Sequence, residues 1–320
     1  MRRQFATLSL LSACLSCAIS TNTFAASVQT ISNPVPNGFI KLDGNISEWL
    51  SISRFNEDTT GDGSTGSFVP IDIRQGAVAH DDNFFYFLYR NSGDNMVTGA
   101  SNWIFIDLDQ NATTGLTAAG GINFSIGAEF NLGGTGGWNQ WNAAGGHAGS
   151  AAGKLAVAGD SNASGGADFI EFSVSRTAIQ PGGGTFNPPG TSFNVLFVAE
   201  NTTTPDYSPN NGAVDWFTYN ASGVYNPGVA GDADGNGIVN INDYLLIQAN
   251  SFTIVPLGTQ GDVNDSGFVD FDDFQQWKTS FPGGVEAAEA AIAAVPEPTS
   301  LALALGAAGM LSMKRRKRGA

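Results

Sequence analysis

The interior of the chain, residues 29 to 228, is written in short apolar runs set among Gly, Asn, Ser and Thr. Runs of β-branched and aromatic residues bounded by turn-formers predict strands. They fall over Phe39–Leu42, Ile71–Ala79, Phe84–Tyr89, Trp103–Leu108, Ile122–Leu132, Phe169–Val174, Phe193–Ala199 and Val214–Tyr219. Alternation is plain after residue 168, where Phe169, Glu171, Ser173 and Ser175 oppose Ile170, Phe172 and Val174. That is the period-two signature of a strand with two unlike faces. About 200 residues of this pattern suit one β-sandwich with a substantial core.

Beyond residue 229 the period changes. Tyr244 with Ile247, Leu245 with Ala249, and Phe274 with Trp277 and Phe281 recur at spacings of three and four, which predicts helices. Asn226-Pro227-Gly228 and Pro256-Leu257-Gly258 break the chain ahead of each helix. The expected fold is therefore mainly β: a sandwich over 29–228, then a small α domain over 229–283. Residues 284–294, Ala- and Glu-rich, are expected to be a linker able to turn helical.

The two ends follow other rules. A basic start, a short apolar run and the small-residue stretch ending at Ala26 read as a secretory signal peptide over 1–26, cut after Ala25 or Ala26. Leu11-Ser12-Ala13-Cys14 also looks like a lipobox, which would instead make Cys14 a lipidated N-terminus. Both cysteines, Cys14 and Cys17, lie in this leader. The mature protein is then expected to have no disulfide and no thiol chemistry, so packing or metal ions must cross-link it. At the other end, Val295-Pro296-Glu297-Pro298 precedes an apolar stretch to Met313 and the basic cluster Lys314–Arg318. As a helix Pro298–Met313 would span about 24 Å, short of the roughly 20 residues a bilayer needs, and the basic tail would stay on the cytoplasmic side. This tripartite end resembles the PEP-CTERM sorting signal. The resemblance implies export, a C-terminal segment held in the membrane before processing, and an exosortase-type processing enzyme as partner. An ordinary C-terminal anchor helix is the plainer alternative.

Charge narrows the partners. Of 14 Lys and Arg, Arg2 and Arg3 lie in the leader and five more in the tail, against 29 Asp and Glu. The body is strongly acidic, which argues against nucleic acid and favours divalent cations.

The acid is concentrated in a phrase written twice, thirty residues apart. In the first copy Asp232, Asp234 and Asn236 take positions 1, 3 and 5 of an EF-hand-type loop. Gly237 takes position 6, the Ile238 carbonyl 7, Asn240 position 9 and Asp243 position 12. The second copy matches with Asp262, Asn264, Ser266, Gly267, Phe268, Asp270 and Asp273. Each loop offers an oxygen at every ligand position, with Asp in place of Glu at the last, so two calcium ions coupled to folding are expected. Val239 and Val269, at position 8, suit a short strand contact between the loops. Paired loop-and-helix units of this kind resemble a dockerin, over residues 229 to 283. The resemblance implies calcium-dependent docking onto a cohesin-like protein domain, read near the end of each loop at Ile241 and Asn242 and at Phe271 and Asp272. A calcium-stapled stability module with no partner is the alternative.

Three phrases in the β region resemble the carbohydrate-binding module family 9-like sandwich. They are Asp43, Gly44, Glu48 and Trp49; the Asp81-Asp82 turn before an aromatic strand; and Asp107, Asp109, Asn111, Thr114 and Gly115. The first half of the region carries this resemblance, and polysaccharide is the partner it implies. Asp107, Asp109 and Asn111 could hold a further calcium, since alternate oxygens suit a hard cation; an Asx-rich turn explains them equally. Trp138, Asn139, Gln140 and Trp141 offer aromatic faces with amide hydrogen-bonders, as sugar recognition requires, although aromatics in a β protein are usually core.

No catalytic motif is visible. His80 and His147 sit in no zinc or triad pattern, and G-x-S-x-G is absent. Glu48, Glu129, Glu171 and Glu200 could supply a glycosidase pair, but nothing in the sequence brings two together; Glu171 could face a cleft or solvent. The expected function is a non-catalytic, envelope-associated binding protein of polysaccharide assemblies. A glycoside hydrolase and a structural surface or biofilm matrix protein are the alternatives.

Overall fold

The computed structural model describes residues 26–56, 58, 72–91, 102–119, 122–133, 137–152, 154–158, 169–177, 182–183, 185–188, 190–199, 205–210 and 215–295. Residues 1–25 of the leader, the tail from residue 296 and Glu200 lie outside them. Among the described residues no helix is long and apolar enough to cross a membrane.

Two sheets face each other. The larger runs β1 (Ala26–Ile31), β14 (Asp215–Asn220), β12 (Ser192–Ala199), β4 (Asn102–Asp107), β7 (Phe130–Gly133), β8 (Gly137–Trp141) and β9 (His147–Ala152), with β13 (Asp206–Ser208) also paired to β12. The smaller runs β10 (Lys154–Ala158), β11 (Phe169–Ser175), β3 (Phe84–Asn91) and β2 (Ile73–His80). A hairpin of β5 (Leu116–Ala119) and β6 (Ile122–Ala128) stands apart. Only β1 against β14 is parallel among these pairs. Between the sheets lie Phe85, Phe87, Tyr89, Ile170, Phe172 and Val174 from one side and Ile104, Phe130, Phe193, Phe197, Phe217 and Tyr219 from the other. The protein is a mainly β sandwich with a helical appendage.

Strand β3 reads as an unbroken apolar run because both its faces are covered. Phe85, Phe87 and Tyr89 enter the central core, while Tyr86 and Leu88 pack under residues 33–56 with Val35, Ile40 and Trp49. The alternation in β11 holds for the same reason with one correction. Its second face is roofed by that segment, so Glu171 is fully buried and does not face solvent. Close packing also fixes Gly76, where a Cβ would lie 2.2 Å from the Phe197 ring. Gly76→Ala is expected to cost about 1–3 kcal/mol through overpacking, read from the urea midpoint.

Three expectations fail locally. Phe39–Leu42 forms no strand: Gly38 takes φ +75° and Phe39 closes a turn onto the Pro36 carbonyl. Ile122–Leu132 is split between β6 and β7, which belong to different sheets. The break is at Glu129, whose side chain accepts the Leu108 N–H at 2.8 Å. Val239 and Val269 do not pair the acidic loops with each other. Residues 252–255 pair with the second loop instead, through Phe252 N–H to Val269 O at 2.7 Å and Val255 N–H to Gly267 O at 3.0 Å.

After residue 229 come α1 (Ile241–Asn250), α2 (Phe271–Ser280) and α3 (Gly284–Ala293). The last takes in the stretch expected as a linker, and its Ala288 is buried in one cluster with Ile247, Val269 and Trp277. Leu257 packs against the Trp49 cluster, and Gly267 lies so close to Ser51 that a Cβ there would meet its side chain at 2.4 Å. The helical module thus rests on the roof of the sandwich.

Candidate functional site

The two acidic loops are built alike. Asp243 and Asp273 occupy the third position of α1 and α2, fully buried. Oδ1 of Asp243 accepts the N–H groups of Ala233 at 2.9 Å and Asp234 at 3.2 Å, and Oδ2 that of Asn240 at 2.7 Å. Thirty residues on, Asp273 accepts Val263 and Asn264 on one oxygen and Asp270 on the other, at 2.9, 3.1 and 2.8 Å. Asp232 gathers the N–H groups of Gly235, Asn236 and Gly237, and Asp262 those of Ser266 and Gly267. The sharp turn demands φ of +84° at Gly237 and +78° at Gly267, conformations that glycine adopts without a Cβ penalty.

The donor set suits a hard cation, since every inward group is oxygen. Asp232, Asp234 and Asp243 bring one oxygen each within 4.8 Å of the others. In the second loop fewer carboxylates converge: Asp262 and Asp273 are joined by Asn264 and Ser266, while Asp270 spends its carboxylate on the Asp272 N–H at 2.8 Å. Asn240 caps α1 the same way through Asn242. Ser266 Oγ donates to the Phe268 carbonyl at 2.9 Å and Asn240 Nδ2 to the Ile238 carbonyl at 3.0 Å, so both position-7 carbonyls turn toward their loops. Burial pushes the Asp273 carboxyl above its ordinary range, although the backbone N–H groups of Asp270, Asn264 and Val263 work against it. Of the residues expected to read a partner, Asn242, Phe271 and Asp272 are exposed and Ile241 is half-buried.

A third group forms in the sandwich with a changed membership. Asp107, at the end of β4, and Asp109 meet Glu129 with oxygens within 4.8 Å of one another. Asn111 gives these acids its backbone N–H but turns its side chain to Thr113. Burial lifts the Asp107 carboxyl to about 7; the Asn194 amide at 3.0 Å works against this, and the nearby Glu129 adds to it. Glu129 is raised too, mainly by burial. Its place was invisible in sequence, because the β6–β7 break that delivers it is a tertiary event.

The sugar candidates separate by strand parity. Trp138 faces the core, stacked on Phe130 with centroids 5.0 Å apart, so it is no platform. Gln140 shares that face and bonds Gly182 and Gly183. Trp141 lies on the opposite, outer face, its Nε1–H donating to Asn131 at 2.7 Å and its ring edge-on to His147. Asn139 accepts the Ser150 hydroxyl. Trp103, Tyr207 and Trp216 are likewise half-buried and pack with Trp141 against one buried cluster that includes Phe105, Leu196 and Ile126, a grouping that only sheet pairing brings about.

Of the described glutamates named as catalytic candidates, Glu171 is tied into the roof. Glu171 receives Trp49 Nε1–H at 2.7 Å and Gly44 N–H at 3.2 Å. Glu48 bonds Ser47. His80 is buried between the Tyr219 hydroxyl and the Gly223 carbonyl, and burial holds its pKa down.

No family model matches the chain, and no curated protein matches it. One similar solved structure is a carbohydrate binding module family 9 from Caldicellulosiruptor kristjanssonii in complex with glucose, 12% identical with a TM-score of 0.33, covering 60% of this chain and 95% of that one. A TM-score of that size is too low to transfer the module's ligand or its site.

Proposed function

We propose that this is an exported, non-catalytic, envelope-associated protein that joins a carbohydrate-binding β-sandwich to a calcium-folded docking module of the dockerin kind. The observation that carries the reading is the equivalence of the two loops: the same hydrogen bonds recur at the same offsets around buried Asp243 and Asp273. In this reading Asp232, Asp234, Asn236, Ile238, Asn240 and Asp243 hold one calcium. Asp262, Asn264, Ser266, Phe268, Asp270 and Asp273 hold the second, with Asn240 and Asp270 reached through water. Asp107, Asp109 and Glu129 hold a third, which would pin the β4 end to the β6–β7 break. The ions supply charge neutralisation and shape; no chemistry is routed through them. The docking module would tie the sandwich to a cohesin-like domain, and the PEP-CTERM-like tail would place the assembly at the envelope.

The carbohydrate half rests on the half-buried aromatic group of Trp141, Trp103, Tyr207 and Trp216, where a pyranose could lay its C–H face on an indole. Affinity electrophoresis against a panel of soluble polysaccharides tests it. Trp141→Ala should weaken retardation about tenfold and lower the melting temperature less than Trp138→Ala, which opens the core. Equal retardation of the wild type and Trp141→Ala would discard the platform. Release of reducing sugar from any member of the panel would replace this reading with that of a hydrolase.

A further inference from the structure

The helical module repeats itself with an offset of thirty residues, which carries α1 onto α2 with the same capping box at each start. One groove on it is filled. Trp277 and Phe281 share a buried cluster with Ala288 and Ile292 of α3, and Lys278 bonds Glu289 of α3 at 2.6 Å. A thirty-residue shift carries Trp277, Lys278 and Phe281 onto Ile247, Gln248 and Ser251. These three line a second groove of about 310 Å³, together with Tyr244, Phe252, Phe271 and Phe274. Nothing of α3's kind lies on this side among the described residues. Phe252 is 78% and Phe271 62% exposed, and Phe252 is held outward on a left-handed backbone of φ +62°. The rim is acidic: Asp270 lines the groove, Asp272 follows, and Lys278 is the sole basic residue from Val229 to Val295.

We infer that the open groove receives a short helix from another protein, one with a small-residue apolar face like that of α3 and lysine or arginine at its flanks. This rests on the docking reading above and gives it a surface and a partner chemistry. The filled groove shows what fits such a site, namely an Ala-rich helix with one aliphatic anchor. The charge of the module sets the flanks, since a basic partner meets complementary potential. An amphipathic helix laid in an aromatic groove is a recurrent mode of recognition.

The test uses the full chain in calcium and a labelled peptide of two tandem copies of the α3 sequence bearing Glu286→Lys and Glu289→Lys, followed by fluorescence anisotropy. Saturable binding that weakens with salt is expected. Phe252→Ala and Phe271→Ala should each lose about tenfold in affinity with unchanged melting curves, as both rings are largely exposed. The peptide retaining both glutamates should bind more weakly by a similar factor. Absence of saturable binding, or equal binding by the phenylalanine variants, overturns the inference. So does a dimer of the chain that Phe271→Ala dissociates, which makes a second copy the occupant. So does binding that appears only when the chain ends at Val295, which makes its own tail the occupant. Circular dichroism of the same samples with and without EGTA reports separately on calcium folding, so a failed groove and a failed calcium module give different results.

Discussion

Chelating calcium from the full-length protein is expected to erase the helical circular dichroism of α1 to α3 while the β signal of the sandwich persists. A ligand present at a thousand times its Kd stabilises the native state by about 4.1 kcal/mol, so two filled loops supply about 8 kcal/mol. That is on the scale of a whole domain's stability. The module has little else to draw on. Its core is one small cluster around Trp277, Val269 and Ile247, and below about 70–80 residues such a core rarely suffices without a staple. No cysteine is available, since Cys14 and Cys17 are the chain's only two. Asp243→Asn and Asp273→Asn should each abolish one transition in a calcium titration, because an amide nitrogen would replace an oxygen that already accepts one or two backbone N–H groups. The first loop, with three converging carboxylates, should fill at lower calcium than the second. Helical signal and melting midpoint unchanged by EGTA would refute the calcium reading at both loops.

The contrast between loops and sandwich explains what could be read in advance. In the loops every hydrogen bond to the carboxylates of Asp232, Asp243, Asp262 and Asp273 spans at most ten residues, so the spacing of Asp, Asn and Gly along the chain is nearly the site itself. In the sandwich the decisive contacts are distant. Alternation over Phe169–Ser175 placed Ile170, Phe172 and Val174 correctly in the core, but only the fold reveals that Trp49, 122 residues away, roofs Glu171. Trp138 and Trp141 look like neighbours in one binding phrase, yet an odd spacing in a strand sends them to opposite faces. Strand β9 escaped notice because Ala, Gly and Ser carry little strand preference; its pairing with β8 makes it a strand. Glu129 joined Asp107 for a similarly non-local reason.

The second large effect is expected at Trp49. Trp49→Ala should cost about 3–5 kcal/mol, because the indole is fully buried between the roof and β3 and its removal also strips a donor from a buried carboxylate. A pH series separates these two losses. Burial raises the Glu171 carboxyl from 4.5 to about 7, while the Trp49 and Gly44 hydrogen bonds pull the other way. Below pH 4.5 the group is protonated in both folded and unfolded chains and its contribution is complete. Between 4.5 and about 7 the folded chain keeps a proton that the unfolded chain has released, so stability falls as pH rises through that window. Trp49→Phe retains most of the packing but loses the Nε1–H, so the fall should extend to higher pH. Glu171→Gln should remove the Glu171 share of the fall and leave that of Asp107, which burial also lifts to about 7. Urea midpoints from pH 5 to 8 in saturating calcium, read by near-ultraviolet dichroism, measure both slopes. A midpoint that rises across this range in the wild type, or a Trp49→Phe profile parallel to it, would mean that Glu171 is ionised and satisfied in the folded protein and that the roof is held by packing alone.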